Sequence, residues 1–279
     1  MPEKPEVITV CKTLEKRILG KTIINCKVYW DNIIIGNKEE FINKIKDQKI
    51  ESMTTRGKWL VFFLTKDALL IHLRMEGRFY FRKKSEPRSK HEHVVFTLED
   101  GEEMRFHDVR KFGKMMLLPK QEVFSLKPLN ELGYEFDDKN LTEEYLLEKW
   151  KKKKLPIKSV LLDQSIIAGI GNIYDDEILF LSHISPFQPA NTLTKKDASL
   201  IIKNTREVLE KAIKKGGTTI KSFESSEGVH GLFQNELAVH GKKNDVCPLC
   251  SNKIEVTKIG GRGTYYCPMC QKEHSFKVK

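Results

Sequence analysis

Long apolar segments are absent from this sequence of 279 residues. No run approaches the about 18 apolar residues of a membrane-spanning helix. The start MPEKPEVITV also lacks the basic and then apolar regions of a secretory signal, so we expect a cytosolic protein without membrane contacts. Acidic residues are in deficit, because 38 Asp and Glu face 49 Lys and Arg, for a formal net charge of +11. This excess favours a polyanionic partner, with nucleic acid ahead of an anionic membrane surface.

Cysteine is scarce outside one short C-terminal segment, which holds four of the six: Cys247, Cys250, Cys267 and Cys270. The spacing C-x2-C-x16-C-x2-C is typical of a tetrahedral four-thiolate zinc site. Disulfides are the alternative, which the reducing cytosol disfavours. A closed thiolate shell leaves no position for water or substrate, so we expect one structural Zn²⁺ that stabilises the fold.

The first part of the chain predicts a helix followed by antiparallel strands. Apolar residues recur at three- and four-residue steps between Glu6 and Arg17, and Gly20 stands where the helix should end. From about residue 22 to 118, β-branched and aromatic runs alternate with short connectors. Asp100-Gly101 between two such runs is a hairpin signal. We therefore predict antiparallel sheets packed as a sandwich.

The pattern then becomes helical. The segments LTEEYLLEKW, SVLLDQ and NIYDDEILFL precede a long predicted helix from about Lys195 to Lys215. Thr194 and Asp197 form a capping-box signature at its start.

These patterns predict an α+β protein with several domains. A β-sandwich domain is expected over residues 1–130 and a helical domain over residues 131–240. Within the second domain, residues 217–240 have little periodicity and are predicted to form a loop. Residues 241–279 are expected to form a β-hairpin that binds zinc.

The residue at the second position, Pro2, is a candidate nucleophile. Removal of the initiator methionine would leave Pro2 with a secondary amine, which is a nucleophile. An unperturbed α-amino group has a pKa of about 7.7 to 8.0, so part of it is neutral near pH 7. Met-Pro-Glu begins many proteins, however, and by itself does not indicate catalysis.

Seven segments distributed along the whole chain carry a family resemblance: MPEKPEV, RGKWL, HLRMEGRF, FHDVRKFG, DQSIIAGIGNIYDDE, GGTTIKSF and GGRGTYYCPMCQ. Together they resemble the formamidopyrimidine-DNA glycosylase family, which also ends in a zinc hairpin. The resemblance implies a β-sandwich, a helix–two-turns–helix domain and a zinc hairpin. It further implies a bifunctional glycosylase and abasic-site lyase that acts on double-stranded DNA, and we expect a monomer.

The resemblance assigns four catalytic residues. Pro2 would be the Schiff-base nucleophile and Glu3 the general acid and base. Lys58 in RGKWL would donate a proton during β-elimination. Arg262, between glycines of the hairpin, would bind the phosphate near the lesion and assist δ-elimination. Taken alone, Lys58 would be read as a solvated lysine at a strand end.

The resemblance also assigns three phosphate contacts. His91 in KHEHVVF, Lys153 in a cationic run and Asn172 in the turn GIGNIY would each bind the DNA backbone. Taken alone, they would be read as a structural histidine, a solvated charge and part of a helix-entry turn.

Three further residues resemble those with which the family fills the gap left by an extruded base, namely Met75, Arg110 and Phe112. Arg110 would pair with the orphaned base, which in this family is usually cytosine. From residue type alone, Met75 and Phe112 would be assigned to the core.

The segment GGTTIKSFESSEGVHGLFQNELAVHGK resembles the lesion-capping loop of the purine-specific branch, so 8-oxoguanine and formamidopyrimidines are the expected substrates. Two alternatives stay open. An endonuclease VIII-like enzyme for oxidised pyrimidines shares the nucleophile and the zinc hairpin. A non-catalytic zinc protein that binds DNA would fit the charge, the zinc site and the arginines equally well.

Two positions depart from the family pattern. Lys4 stands where an apolar residue is usual, and Val109 stands where proline is frequent. A lysine beside the N-terminus could displace the amine or lower its pKa by charge proximity.

Overall fold

The computed structural model of the chain describes residues 1–218 and 231–273. Among these residues, no helix combines the length and the apolar character needed to cross a membrane. Residues 219–230, which form much of the predicted lesion loop, lie outside the described part of the chain.

The chain divides into two compact units. The first comprises Met1–Asn130 and Lys215–Leu232, and the second comprises Glu131–Lys214 and Phe233–Lys279. Each unit has its own apolar core.

The described residues of the first unit form two α-helices and eight strands. Its helices are α1 (Lys4–Ile18) and α2 (Lys38–Ile45), and its strands are β1 (Thr22–Val28), β2 (Gln48–Arg56), β3 (Trp59–Leu64), β4 (Asp67–His72), β5 (Arg78–Lys83), β6 (Glu92–Leu98), β7 (Glu102–His107) and β8 (Lys114–Pro119). All strand pairs are antiparallel, in the order β5-β7-β6-β1-β2-β3-β4-β8. The predicted hairpin at Asp100-Gly101 is confirmed between β6 and β7.

The eight strands form two halves joined by a short seam. β1 and β2 pair only at Thr22 with Lys49 and at Ile23 with Gln48, which lets the two four-stranded halves turn toward each other as a sandwich. The core contains apolar side chains from both halves and from α1. The N-terminal helix runs from Lys4 rather than Glu6, because Glu3 takes the N-cap position and Pro5 fits the first turn. Helix α2 was not predicted.

A buried arginine, Arg105, hydrogen-bonds the segment that connects β5 and β6. Arg105 is 2% exposed, and its guanidinium donates to the carboxylates of Glu103 and Glu92 at 2.9 and 3.1 Å. It also donates to the carbonyls of Lys83 and Glu86 at 3.2 and 2.8 Å. Buried charge is tolerated when it is paired and hydrogen-bonded. Arg105 therefore fixes the connection that leads from β5 to His91 and β6.

In the second unit, the part of the chain that the structure describes, which ends at residue 273, forms four α-helices and a hairpin: α3 (Glu143–Trp150), α4 (Ile157–Leu161), α5 (Asn172–Leu181), α6 (Lys195–Lys214), β9 (Glu255–Ile259) and β10 (Arg262–Tyr266). The predicted capping box of α6 is present, since Thr194 N donates to Asp197 Oδ2 at 2.8 Å and Asp197 N donates to Thr194 Oγ1 at 3.3 Å. β9 and β10 pair antiparallel around a turn at Gly260 and Gly261, and both glycines have positive φ.

Candidate active site and zinc centre

The terminal amine lies in a site that favours its neutral form. The pKa of the Met1 amine is lowered mainly by burial, and the charges of Lys58 and Arg110 act in the same direction. The carboxylates of Glu3 and Glu6 oppose this shift. Glu3 is only 3% exposed. A neutral amine is the nucleophilic form, and Pro2, which would carry the free amine after removal of Met1, is also buried.

Glu6 holds the start of the chain and was missed in the sequence analysis. Its Oε2 accepts from Glu3 N at 2.8 Å, and its Oε1 accepts from Thr218 N at 2.8 Å and Thr218 Oγ1 at 3.2 Å. Gly217 has φ +81°, and a Cβ there would lie 2.5 Å from Glu6 Oε1. The spacing Glu3-x-x-Glu6 of a capping box was the available signal.

Lys58 lies in the tight turn between β2 and β3, where Arg56 pairs with Trp59 and Gly57 has φ +55°. It is 5% exposed, unlike an ordinary solvated lysine. Lys4 is also buried, and its Nζ donates to Thr55 Oγ1 at 2.8 Å and to Thr55 O at 3.3 Å. This departure from the family pattern therefore ties the start of α1 to β2.

The three proposed gap-filling residues line one cavity. Its volume is about 430 Å³, and its walls are formed by Met1, Arg74, Met75, Arg110, Lys111, Phe112 and Lys114. Phe112 is 49% exposed, so it is not a core residue. The Arg110 guanidinium carbon lies 4.8 Å from the centroid of the Phe112 ring. The first unit thus brings Met75, Arg110 and Phe112 together at a cavity that the N-terminal residue also lines.

A buried carboxylate shapes the loop that carries Arg110 and Phe112. Asp108 is fully buried, and its carboxylate accepts from Arg110 N at 3.1 Å and from Gly113 N at 2.7 Å. On the same loop, Lys111 Nζ lies 3.9 Å from the centroid of the Trp30 ring. Sequence reasoning gave Asp108 and Trp30 no role. Both contacts restrict the loop and so preorganise the side chains at its tip.

His91 lies immediately before β6 and does not line this cavity. Its ring centroid is 5.6 Å from that of His107 and 6.5 Å from that of His93. The Nδ1 atom of His91 is buried and has no hydrogen-bond partner among the described residues.

His72 supports the loop that carries Met75, and its lowered pKa predicts that the folded protein loses stability in acid. Burial first, then the charges of Arg74 and Lys58, lower the pKa of His72 from 6.5 to about 3. Its Nδ1 must stay unprotonated to accept from Arg74 N at 3.0 Å. Between pH 6.5 and 3 the unfolded chain binds a proton at His72 that the fold does not, so stability falls as pH falls.

We therefore expect His72 to account for a loss of about 2 kcal/mol in unfolding free energy between pH 7 and pH 5. In His72→Asn the amide oxygen can accept from Arg74 N without titrating, so this part of the acid sensitivity should disappear. Urea unfolding of both proteins at pH 7 and pH 5 measures the difference. Equal pH dependence in the two proteins would contradict the assignment.

In the second unit, Asn172 and Arg262 lie close together. Asn172 is the first residue of α5, and its Nδ2 donates to Gly263 O at 2.8 Å, next to Arg262 on β10. Arg262 is exposed. In the same unit, Lys153 Nζ contacts Asp163 Oδ2 at 3.2 Å.

The four predicted zinc ligands converge. Their sulfur atoms all lie within 4.8 Å of one another. Cys250 and Cys267 have sulfurs 3.4 Å apart, and those of Cys247 and Cys270 are 3.8 Å apart. A tetrahedral zinc with Zn–S bonds of about 2.3 Å requires sulfur separations of about 3.8 Å. The donor set therefore fits one structural Zn²⁺.

Comparisons with known proteins match nearly the whole length of this chain. Family models match as the Formamidopyrimidine-DNA glycosylase N-terminal domain (residues 1–115), the Formamidopyrimidine-DNA glycosylase H2TH domain (132–224) and the zinc finger found in FPG and IleRS (244–272). The formamidopyrimidine-DNA glycosylase of Oceanobacillus iheyensis is 43% identical over 273 residues, which cover 97% of this chain and 98% of the relative.

Solved structures agree with these sequence matches. A complex of Lactococcus lactis Fpg with DNA containing an abasic site has a TM-score of 0.91 at 36% identity and covers 97% of this chain and 100% of that one. A complex of a Lactococcus lactis Fpg mutant with DNA containing Fapy-dG also has a TM-score of 0.91 at 36% identity, with coverage of 98% and 100%. With three domain matches in order and a relative of this identity over nearly its full length, the chain belongs to the formamidopyrimidine-DNA glycosylase family.

Proposed function

We propose that this chain is a bifunctional DNA glycosylase and abasic-site lyase of base excision repair that removes 8-oxoguanine and formamidopyrimidines. The observation that carries the proposal is the buried start of the chain, where burial and then the charges of Lys58 and Arg110 lower the pKa of the Met1 amine against the opposing carboxylates of Glu3 and Glu6. Structures of family members with abasic-site and Fapy-dG DNA support the substrate class. The net charge of +11 suits double-stranded DNA as the partner. In a cell, this activity would place the protein at the bacterial nucleoid.

The chemistry begins at Pro2 once Met1 has been removed. The neutral secondary amine attacks C1′ of the damaged nucleotide, the bond from C1′ to the base breaks, and the base leaves with a proton. We assign to Glu3 the exchange of protons with the sugar or the base during this step. The bond from C1′ to the ring oxygen O4′ then breaks as O4′ takes a proton, and the amine nitrogen and C1′ form an iminium, the covalent intermediate of the lyase reaction.

Two eliminations follow from the iminium. Loss of the C2′ proton breaks the bond from C3′ to its phosphate oxygen, and Lys58 serves as proton donor in this β-elimination. A second, δ-elimination releases the 5′ phosphate and leaves a one-nucleotide gap. We assign to Arg262 the phosphate contact that assists this second step.

The DNA contacts divide into backbone and base contacts. We assign phosphate binding to His91, Lys153 and Asn172, of which Asn172 stands at the N-terminus of a helix, a favourable place for an anion. Met75, Arg110 and Phe112 would enter the stack where the damaged base has left it. The exposed ring of Phe112 and the neighbouring guanidinium of Arg110 support this role.

We propose residues 1–130 as the catalytic domain, 131–240 as the helical DNA-binding domain with the lesion loop 217–240, and 241–279 as the zinc hairpin. The single Zn²⁺ would be structural, because its four thiolates complete a tetrahedral shell.

Borohydride trapping tests the proposed chemistry. Because the reaction passes through an iminium, borohydride should fix the enzyme covalently to a duplex that contains 8-oxoguanine opposite cytosine. Pro2→Gly keeps an amine but removes the ring, and we expect base removal to fall by about 100-fold or more, since the reacting atom loses its fixed geometry. Denaturing gels of the trapped adduct and of the cleaved strand measure both effects, and intact mass shows whether Met1 has been removed.

The controls separate the remaining functions. Glu39→Ala alters an exposed side chain on α2 of the same unit. This variant should form the borohydride-trapped adduct in the same yield as the parent protein. Absence of an adduct from a protein that lacks Met1 and binds DNA would instead support a non-catalytic zinc protein. Faster release of thymine glycol than of 8-oxoguanine would place the chain with the pyrimidine-specific enzymes.

A further inference from the structure

Helix α5 carries three consecutive carboxylates that are almost completely buried. Asp175 is 0% exposed, Asp176 is 1% exposed and Glu177 is 3% exposed. Burial of a charged group is costly unless partners compensate for the lost water. The partners of Asp176 and Glu177 therefore show what these side chains hold in place.

Asp176 bridges a lysine and a histidine. Its Oδ1 accepts from Lys158 Nζ at 2.7 Å, and its Oδ2 lies 2.7 Å from His240 Nδ1. Lys158 is completely buried in α4. The carboxylate thus joins helix α4, helix α5 and the segment that precedes the zinc hairpin.

Glu177 binds the backbone of that same segment. Its two oxygens accept from the N–H groups of Ala238, Val239 and His240 at 2.7, 2.9 and 2.8 Å. Three hydrogen bonds to one carboxylate leave the backbone at His240 little freedom to move. The His240 ring is therefore held at a fixed position above α5.

The His240 ring also contacts the hairpin. Its centroid lies 4.9 Å from that of Tyr265, which is three residues after Arg262 and on the same strand β10. Helices α4 and α5 also approach this hairpin near its turn. Asn172 Nδ2 donates to Gly263 O, and a Cβ at Gly260 would lie 3.1 Å from Ser159 Oγ.

We propose that His240 is a positioning residue for the hairpin that carries Arg262, acting as the link between Asp176 and Tyr265. The proposal rests on the function assigned above, in which Arg262 assists the δ-elimination. Loss of this link should therefore slow the δ-elimination alone. Base removal and iminium formation at the N-terminus should continue at the parent rate.

The test uses the full chain with its zinc. His240→Leu removes the contact to Asp176, and His240→Asn restores a donor at the position of Nδ1. Single-turnover cleavage of abasic-site DNA is followed on denaturing gels that resolve the β- and δ-elimination products. For His240→Leu we expect the δ rate to fall by about tenfold, because small displacements of a catalytic group have large kinetic effects, with borohydride trapping unchanged. We expect His240→Asn to recover part of the loss, because it restores the donor to Asp176 but not the ring that contacts Tyr265.

The matched control is Glu144→Gln, which removes an exposed carboxylate that pairs with Lys195 in the same unit and should keep the parent ratio of products. Zinc content and the melting temperature are measured for each variant. A parent-like product ratio in His240→Leu, equal defects in the leucine and asparagine variants, or loss of zinc from His240→Leu would each overturn the proposal. Failure of the unaltered protein to form a trapped adduct would instead overturn the proposed function.

Discussion

Replacement of Cys267 by serine is expected to unfold the C-terminal hairpin and to abolish stoichiometric zinc binding. Cys267 is 0% exposed and packs in a small core with Val239, Ile254, Phe180 and Cys247. A structural zinc contributes about 10–16 kcal/mol of apparent binding free energy to a zinc finger. The whole net stability of a domain is only about 5–15 kcal/mol. This small apolar core is therefore insufficient to hold the hairpin without the metal.

The expected functional result is a loss of DNA affinity by about tenfold or more, since one lost phosphate contact of about 1.4 kcal/mol already has this effect. Arg262 lies on this hairpin, and Asn172 donates to its backbone at Gly263. Zinc per chain is measured by plasma mass spectrometry, and affinity for an abasic-site duplex by fluorescence anisotropy at fixed salt.

Cys26→Ala provides the control, because Cys26 is a buried free thiol in the first unit. It should keep one zinc per chain and the parent affinity. A Cys267→Ser protein that retains one zinc and binds DNA like the parent would show that the four sulfurs do not form the predicted site.

Glu6→Ala should have the second large effect, on both stability and catalysis. The substitution leaves the N–H groups of Glu3 and Thr218 without their acceptor in a buried environment. Hydrogen bonds to a charged group contribute about 1.5–3 kcal/mol each, so we expect the unfolding free energy to fall by about 3 kcal/mol or more. Because Glu6 fixes the backbone next to Pro2, we also expect kcat to fall by about 100-fold.

A second substitution tests the same contact from the other side. Gly217→Ala places a methyl group 2.5 Å from Glu6 Oε1 at a backbone position with φ +81°, so it should displace the carboxylate and slow base removal. Glu39→Ala, in the exposed first turn of α2, should change neither quantity. Urea unfolding and single-turnover base removal measure the two effects. Parent-like kcat in both Glu6→Ala and Gly217→Ala would show that the start of the chain is positioned by other contacts.

The sequence by itself determined the features that depend on local pattern. The zinc site followed from C-x2-C spacing, which brings two sulfurs together whatever the rest of the fold does, and the four sulfurs do converge. The capping box at Thr194 and Asp197, the hairpin at Asp100-Gly101 and the alternation of strands and helices are local in the same sense. Family membership followed from motifs distributed along the whole chain.

Only the tertiary structure decided the contacts between residues distant in the sequence. The bond from Glu6 to Thr218 spans 212 positions and that from Asn172 to Gly263 spans 91, and no periodicity encodes either pairing. The burial of individual side chains could not be predicted from the sequence either. Residue type predicts a solvated Lys58 and a buried Phe112, whereas Lys58 is 5% and Phe112 is 49% exposed. The net charge of +11 likewise does not show where the individual charges lie. Three of the carboxylates are buried together on α5, because only the fold brings Lys158, His240 and a row of backbone N–H groups to meet them.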